Sequence, residues 1–226
     1  MKAFATAFLF FTSLLGLSAE PVTRSEALSI AQRYASHRWE ASEKNILHGL
    51  DRSKIPVRTP NRPADAPSPD EGLWTVGAVN IGVPYKWGGF DTLESFDKGI
   101  SSGKAAGDLY TLEKRRKGGA AVSPYAVGID CSGFISRCWK LPKKQSTSTL
   151  PSICRPLASP SELLPGDILN TTNGHVLLFA KWLDDEKSRA LFYEAEPFSK
   201  VITSERKIAE MINAGYKAFR YRQIRE

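Results

Sequence analysis

The alternation of apolar and polar residues predicts helices and short strands along the chain. The clearest helical segment begins near Thr23, which has the spacing of a capping box to Glu26. Apolar residues then recur with a period close to that of an α-helix as far as His37. These apolar positions are Ala27, Leu28, Ala31, Tyr34 and Ala35. We therefore expect an amphipathic helix in this segment.

The rest of the pattern predicts further helices and a series of strands. Helical patterns lie at 73–81, 128–139 and 206–214. Short apolar runs bounded by turn-forming residues predict strands at 167–169, 175–182, 190–195 and 218–224. Within 175–182, alternate side chains are expected on opposite faces of a sheet. A helix followed by successive short strands is typical of an α+β domain.

The first 19 residues form a segment of their own. Lys2 precedes an apolar run over 3–17, and the small residues Ser18 and Ala19 come before the chain turns polar. These features predict a secretory signal peptide over 1–19, cleaved after Ala19. A buried helix or a retained anchor is the alternative, although roughly 15 apolar residues are short for a membrane span. We expect an exported protein, periplasmic or extracellular, without a stable membrane span after cleavage.

The mature chain divides into two regions of different composition. Residues 20–71 combine the predicted N-terminal helix with a Pro-rich linker, since four prolines fall between positions 58 and 71. Residues 72–226 carry the remaining elements and are interpreted as the main domain. Within that domain, a stretch rich in Gly and Lys indicates an insertion at about 91–127.

Composition and charge restrict the class of protein. The 226 residues include 31 Lys and Arg against 24 Asp and Glu, a formal net charge of +7, and 42% are hydrophobic. This balance is that of an ordinary globular protein. The basic residues are mostly scattered among acidic ones without a zinc finger or RNA-binding motif, so nucleic acid is not expected as a partner. An exported basic protein suits an anionic envelope polymer, and a basic surface without any partner is the alternative.

Cys131 is the candidate nucleophile. It lies in the first turn of the predicted helix, where unpaired N–H groups and the helix dipole favour a thiolate. His175 is the candidate base and opens a predicted strand. Glu194 lies among apolar residues of the next strand, where a buried carboxylate needs a partner such as a protonated His175. Together, these residue types are the set that activates a thiol nucleophile.

Each of these residues also has a structural explanation. Cys131 has helical spacing to Phe134 and Cys138 and could belong to a core stripe. His175 could be a hydrogen-bonded core histidine, and Glu194 could be a surface charge on an edge strand. The residues alone leave both interpretations open.

The other two cysteines are candidates for a disulfide. Cys131 and Cys138 are seven positions apart in one predicted helix, about 10 Å along its axis, which is too far for a disulfide. Cys138 and Cys154 are then available to each other, and two buried free thiols are the alternative. The spacing of the three cysteines lacks the close pairs of structural zinc sites, so we expect neither a metal nor a cofactor.

Four motifs occur in an order that resembles the NlpC/P60 cysteine peptidases, which are papain-like enzymes of the cell wall. They are 84–89 (PYKWGG), 130–134 (DCSGF), 164–168 (LPGDI) and 174–176 (GHV). The resemblance covers roughly 72–200 and implies a papain-like α+β fold. In that fold the nucleophile lies at the N-terminus of a helix packed on an antiparallel sheet. Many members cut peptide bonds next to D-glutamate in the stem peptides of peptidoglycan.

The resemblance also implies roles for individual residues. Cys131 would be the nucleophile, His175 its general base and Glu194 the third residue of the triad. The tyrosine of the first motif would support the oxyanion, and other motif residues would contact the substrate. These are Tyr85 for the oxyanion, and Asp130, Ser132 and Trp87 for the substrate.

Two features differ from the usual pattern of the family. A segment of 45 residues lies between Tyr85 and Cys131, which is longer than usual. The third residue is acidic, whereas His, Asn or Gln is commoner. A carboxylate stabilises an imidazolium at least as well as an amide does, so Glu194 remains compatible with catalysis.

The sequence therefore predicts an exported cysteine hydrolase that cleaves amide bonds of peptidoglycan stem peptides through a thioester intermediate. One alternative is a catalytically inert module of the same fold that binds cell-wall polymer. Another is an amidase or acyltransferase that uses the same triad.

Overall fold

The computed structural model describes residues 21–61 and 73–226. The predicted signal peptide at 1–19 and most of the predicted Pro-rich linker lie outside these ranges. The described residues form a mixed α/β structure in which the main sheet is antiparallel. Within the same ranges, no helix combines the length and hydropathy that crossing a membrane requires.

The helices and strands are short, and they are numbered here in chain order. The helices are α1 (Arg24–Ala35), α2 (Leu93–Ser101), α3 (Leu112–Lys117), α4 (Cys131–Cys138) and α5 (Ile208–Asn213). The strands are β1 (Val22–Thr23), β2 (Arg38–Glu40), β3 (His48–Leu50), β4 (Pro56–Arg58), β5 (Val79–Ile81), β6 (Ala105–Ala106), β7 (Ala126–Val127), β8 (Cys154–Pro156), β9 (Ile168–Asn170), β10 (Val176–Trp182), β11 (Arg189–Ala195), β12 (Val201–Lys207), β13 (Lys217–Tyr221) and β14 (Ile224–Arg225).

The main sheet contains six strands in the order β12-β11-β10-β9-β13-β8, and every neighbouring pair is antiparallel. Val176, Leu178 and Ala180 belong to the core cluster that α1 and α4 share. Leu177 and Phe179 belong to a second cluster with α5 on the opposite face. The predicted alternation along β10 is thus confirmed, and helices cover both faces of the sheet.

The N-terminal segment is part of the same core as the candidate nucleophile helix. The predicted capping box is confirmed, because Thr23 caps α1 and the Glu26 side chain accepts a hydrogen bond from the Thr23 N–H. The Tyr34 ring meets the Phe134 ring of α4 edge to face, with 6.0 Å between their centroids. Strand β1 pairs with β14, so the two ends of the described chain meet. Helix α1 therefore packs against α4 through the contact between Tyr34 and Phe134.

The predicted helix at 73–81 is wrong. Its C-terminal part is β5, which pairs with β2. Gly77 has a φ of 72°, a left-handed conformation that interrupts a right-handed helix. The Asn80 side chain also bonds the backbone of Thr75 and Ala78, which is how asparagine competes with helical hydrogen bonds.

The other predicted elements differ mainly at their ends. Helix α4 begins three residues later than expected, because Asp130 caps it. The helix predicted at 206–214 begins only at Ile208, and the residues before it form β12, which the pattern did not predict. Strand β12 is an edge strand in which partly buried and exposed positions alternate. Its partly buried positions include the polar residues Ser204 and Arg206, so the sequence lacks the apolar period that identifies a strand.

The predicted disulfide between Cys138 and Cys154 is not formed in the structure, where all three cysteines are free thiols. Burial raises the pKa of the Cys138 thiol well above its ordinary value. Burial also raises the pKa of Cys154, to about 12. Both side chains are therefore protonated thiols at neutral pH.

An ion-pair network ties α1 and β13 to one buried carboxylate, which lies just before β9. Asp167 is fully buried and accepts hydrogen bonds from Arg24 Nη1 at 3.1 Å and Arg220 Nη2 at 2.7 Å. The Leu164 N–H donates to the same carboxylate at 2.9 Å. Asp167 belongs to the third motif, so the structure gives that motif a role in holding the sheet to α1.

We expect Asp167→Ala to lower the free energy of unfolding by about 3–5 kcal/mol, because it leaves two mostly buried arginines without their carboxylate. Urea denaturation followed by tryptophan fluorescence measures the change. Asp185→Ala, at an exposed position, is the matched control and should alter stability by less than about 0.5 kcal/mol. Equal effects of the two substitutions would contradict a structural role for the network.

Candidate active site

Cys131 is the first residue of α4. The Asp130 side chain caps the helix by accepting a hydrogen bond from the Gly133 N–H at 2.6 Å. The Cys131 N–H therefore lies in the first turn, where a helix offers no internal acceptor. The side chain is 7% exposed and lines a cleft of about 910 Å³. The thiol thus combines the position predicted from sequence with access from solvent.

The first motif packs directly against the start of α4. The Lys86 N–H donates to Ile129 O at 3.1 Å, and the Ile129 N–H donates to Pro84 O at 3.2 Å. A Cβ on Gly133 would lie 2.1 Å from Gly89 O, so only glycine allows this approach. The close packing brings Tyr85 of the first motif beside Cys131.

His175 is held by a tight turn before β10. Its N–H donates to Thr171 Oγ1 at 2.8 Å. A Cβ on Gly174 would lie 2.2 Å from the same hydroxyl oxygen, so the glycine of the fourth motif is needed for the turn to close. The turn places the imidazole at the cleft, together with Cys131.

Glu194 is buried behind the imidazole. Its Oε2 atom lies 2.7 Å from His175 Nε2, and the residue is 1% exposed. Its Oε1 atom accepts hydrogen bonds from Ser204 and from Arg206 Nη2, the latter at 2.5 Å. Glu194 is therefore a fully partnered buried carboxylate and not a surface charge.

Ser204 and Arg206 were missed by the sequence reasoning. Both lie on β12, where Ile202 is the cross-strand partner of Glu194. Alternate residues of a strand share a face, so Ser204 and Arg206 lie on the same face as that partner. Recognition of β12 as a strand beside β11 would have been sufficient to find them.

The protonation of the His175–Glu194 pair follows from its contacts. Burial lowers the pKa of His175, but the interactions with Cys131 and Glu194 outweigh burial and raise it to about 10. Burial raises the pKa of Glu194, but the hydrogen bond and charge of His175, with Arg206 and Ser204, lower it to about 2. At neutral pH the site therefore holds an imidazolium next to a carboxylate.

The two ring nitrogens of His175 have different surroundings. Nε2 is engaged by Glu194. Nδ1 has no partner of regular hydrogen-bond geometry among the described residues, although the interaction with the Cys131 side chain contributes to the raised pKa. The ring is thus oriented by Glu194 while Nδ1 remains available for proton transfer.

Tyr85 is 2% exposed and lines the cleft. Burial raises its pKa well above the ordinary value, and the neighbouring Cys131 and Asp130 act in the same direction. The phenol therefore keeps its proton and remains a hydrogen-bond donor.

The inserted segment forms one wall of the cleft. Tyr110, Arg115 and Gly118 of this segment are among the lining residues. The Trp87 indole N–H donates to Gly118 O at 3.1 Å. The centroids of the Trp87 and Tyr110 rings are 5.7 Å apart. The structure thus brings most predicted site residues to a single cleft. Those that line it are Tyr85, Trp87, Asp130, Cys131, Ser132 and His175.

The Asp130 carboxylate forms hydrogen bonds with other residues of the protein. Besides capping α4, its Oδ1 atom accepts a hydrogen bond from Ser132 Oγ at 3.1 Å. Its Oδ2 atom lies 2.7 Å from Lys144 Nζ. Lys144 is a cleft residue that the sequence reasoning did not identify, because nothing local links it to the second motif.

In the described ranges, no group of histidine, cysteine and carboxylate side chains is arranged to hold a metal ion. Comparison of the chain with family models, with curated proteins and with solved structures finds no match in any of the three. The geometry of the site is therefore the basis for assigning its chemistry.

We expect Glu194→Gln to lower the pKa of His175 from about 10, because the substitution removes the carboxylate charge that stabilises the imidazolium. A raised pKa means that the stability from protonation is complete below the ordinary histidine value and is lost as pH rises through about 10. The variant should lose part of this alkaline dependence of stability, because the interaction of His175 with Cys131 also raises the pKa and is still present.

An NMR titration of the His175 ring, with urea denaturation at each pH, measures both effects. Glu205→Gln, at an exposed position that pairs with Arg189, is the matched control and should leave the titration unchanged. An unaltered His175 titration in Glu194→Gln would show that the carboxylate does not hold the imidazolium.

Proposed function

We propose that the protein is a cysteine hydrolase of the NlpC/P60 type with a papain-like fold, exported and acting on amide bonds of peptidoglycan stem peptides. The observation that carries this proposal is the position of His175 between Cys131 and the buried Glu194 at an open cleft. The ordered motifs around these residues support the family, and the net charge of +7 suits an anionic wall polymer.

The first half of the reaction is acyl transfer to the thiol. The Cys131 thiolate attacks the amide carbonyl, and the carbonyl electron pair moves onto its oxygen. The Cys131 N–H at the start of α4 and the Tyr85 hydroxyl, whose residue lines the same cleft, are assigned as the donors to that oxyanion. When the tetrahedral intermediate collapses, the C–N bond breaks and the leaving nitrogen takes the proton from His175 Nδ1. An amine departs and a thioester remains on Cys131.

The second half returns the enzyme to its starting state. Neutral His175 accepts a proton from water, and the resulting hydroxide attacks the thioester carbonyl. The C–S bond breaks, the acid is released and Cys131 leaves as a thiolate. Glu194 stays ionised throughout, since its role is to orient the ring and stabilise the imidazolium.

The charges at the site favour catalysis over an inert binding module. A buried carboxylate is costly to desolvate and needs several partners, and Glu194 has three of them. A purely structural histidine would not require this arrangement next to a cysteine that lines a cleft. Binding of polymer alone would require only the cleft and its basic residues.

We expect Cys131→Ala to reduce the release of peptidoglycan fragments at least about 1,000-fold, because loss of the nucleophile removes the thioester route. The assay incubates purified protein with peptidoglycan and identifies products by mass spectrometry. Cys154→Ala is the matched control, since it removes a buried thiol that does not line the cleft.

Equal fragments from the wild type and Cys131→Ala would refute catalysis by this thiol. Fragments joined through new amide bonds to an added amine, in place of hydrolysed ones, would reassign the same triad to acyl transfer. Binding of peptidoglycan without any product would favour the inert module.

A further inference from the structure

Lys144 lies over the first turn of α4. Its Nζ atom is 2.7 Å from Asp130 Oδ2, and its Cε atom is 3.2 Å from the position that a Cβ on Gly133 would take. The side chain is 27% exposed and lines the cleft together with Cys131. An ammonium group is therefore presented to the cleft beside the nucleophile.

This lysine changes what Asp130 can bind. A carboxylate offers about four acceptor positions, and Asp130 already accepts from Gly133, Ser132 and Lys144. Its negative charge is also balanced by Lys144. A cationic group of a substrate would gain little from Asp130 and would be repelled by the lysine.

Lys144 can instead bind an anion. An ammonium group has three donors, and Asp130 takes one of them. The hydroxyl groups of Ser146 and Ser148 follow closely in the chain and line the same cleft. An anionic group placed there would receive charge-assisted hydrogen bonds from Lys144. The two serine hydroxyls are hydrogen-bonded to each other at 2.7 Å, so at most one of their protons is left to donate to the anion.

The rest of the cleft has the same charge preference. Asp130 is the one acidic residue among the described residues that line the cleft, whereas Arg115 of the insertion is basic and His175 is protonated at neutral pH. A positively charged side chain attracts an anionic ligand more strongly where the surroundings are partly desolvated. The described lining residues thus include two basic side chains, Lys144 and Arg115, against the single acidic side chain of Asp130. The buried Glu194 balances the charge of His175.

We propose that Lys144 is a specificity-determining residue, and that the substrate carries a carboxylate on the Lys144 side of the bond that Cys131 attacks. The proposal rests on the proposed function in that it assigns a scissile bond to Cys131. The family resemblance implies that Asp130 contacts the substrate, whereas this proposal assigns that contact to Lys144.

Two charged thiol reagents test the proposal without any need for hydrolysis. Sulfonatoethyl methanethiosulfonate is anionic and trimethylammonioethyl methanethiosulfonate is cationic, and the two are similar in size. Each forms a disulfide with Cys131 and releases methanesulfinate. Cys138 and Cys154 are 0% and 1% exposed, so the rates report Cys131. The measured quantity is the ratio of the anionic to the cationic rate constant.

We expect Lys144→Gln to lower this ratio roughly tenfold, because one positive charge is lost and Asp130 is left unpaired. The double variant Asp130→Asn/Lys144→Gln removes both charges and keeps a capping residue at the start of α4. Its ratio should still fall about threefold, since Lys144 is the more exposed partner. Lys143→Gln, which lines a different groove, is the control and should leave the ratio within about twofold of the wild type.

A wild-type ratio in the double variant would overturn the proposal, because it would mean that Lys144 only neutralises Asp130. If digestion of peptidoglycan depends on Cys131 while the double variant keeps the wild-type ratio, the hydrolase stands and the anion site fails. If the ratio falls as expected but Cys131→Ala digests peptidoglycan as the wild type does, the proposed function fails while the charge preference stands. Failure of Cys131 to react with either reagent would overturn both.

Discussion

The hydrogen bond between Glu194 and His175 is the interaction on which the rest of the site depends. A carboxylate that is 1% exposed is stable only when its charge is matched and its oxygens are bonded. The three donors come from the turn before β10 and from two residues of β12. The antiparallel hairpin of β11 and β12 is therefore a requirement of the site as well as of the sheet.

A second buried ion pair, between Asp108 and Lys114, holds the insertion in place. Asp108 and Lys114 are 0% and 3% exposed, and their charged atoms are 2.7 Å apart. Lys114 also donates to Pro56 O at 2.6 Å, which ties α3 to β4 in the N-terminal region. The Asp108 O atom accepts from the Trp87 N–H at 2.8 Å. The insertion is thus anchored from both sides and forms a fixed wall of the cleft.

The elements that could be predicted from the sequence are those determined by residues close together in the chain. The capping box at Thr23, the alternation along β10 and the position of Cys131 in the first turn of a helix are local signals, and the structure agrees with them. The roles of Arg206 and Lys144 arise from contacts between distant segments. Neither Arg206 nor Lys144 belongs to a motif or to an apolar periodicity, so the local sequence around each residue could not place it at the site.

The second motif shows why a motif alone does not specify recognition. Asp130 caps α4, accepts a hydrogen bond from Ser132 and pairs with Lys144, so one side chain affects both the start of the helix and the charge beside Cys131. The cap is a consequence of the local sequence, but the charge is decided by a residue 14 positions further along the chain. The same motif can therefore present either a free carboxylate or a paired one to a ligand. In the proposed role of Lys144, the ligand that the cleft binds depends on the segment that follows the helix, because that segment supplies the counter-charge.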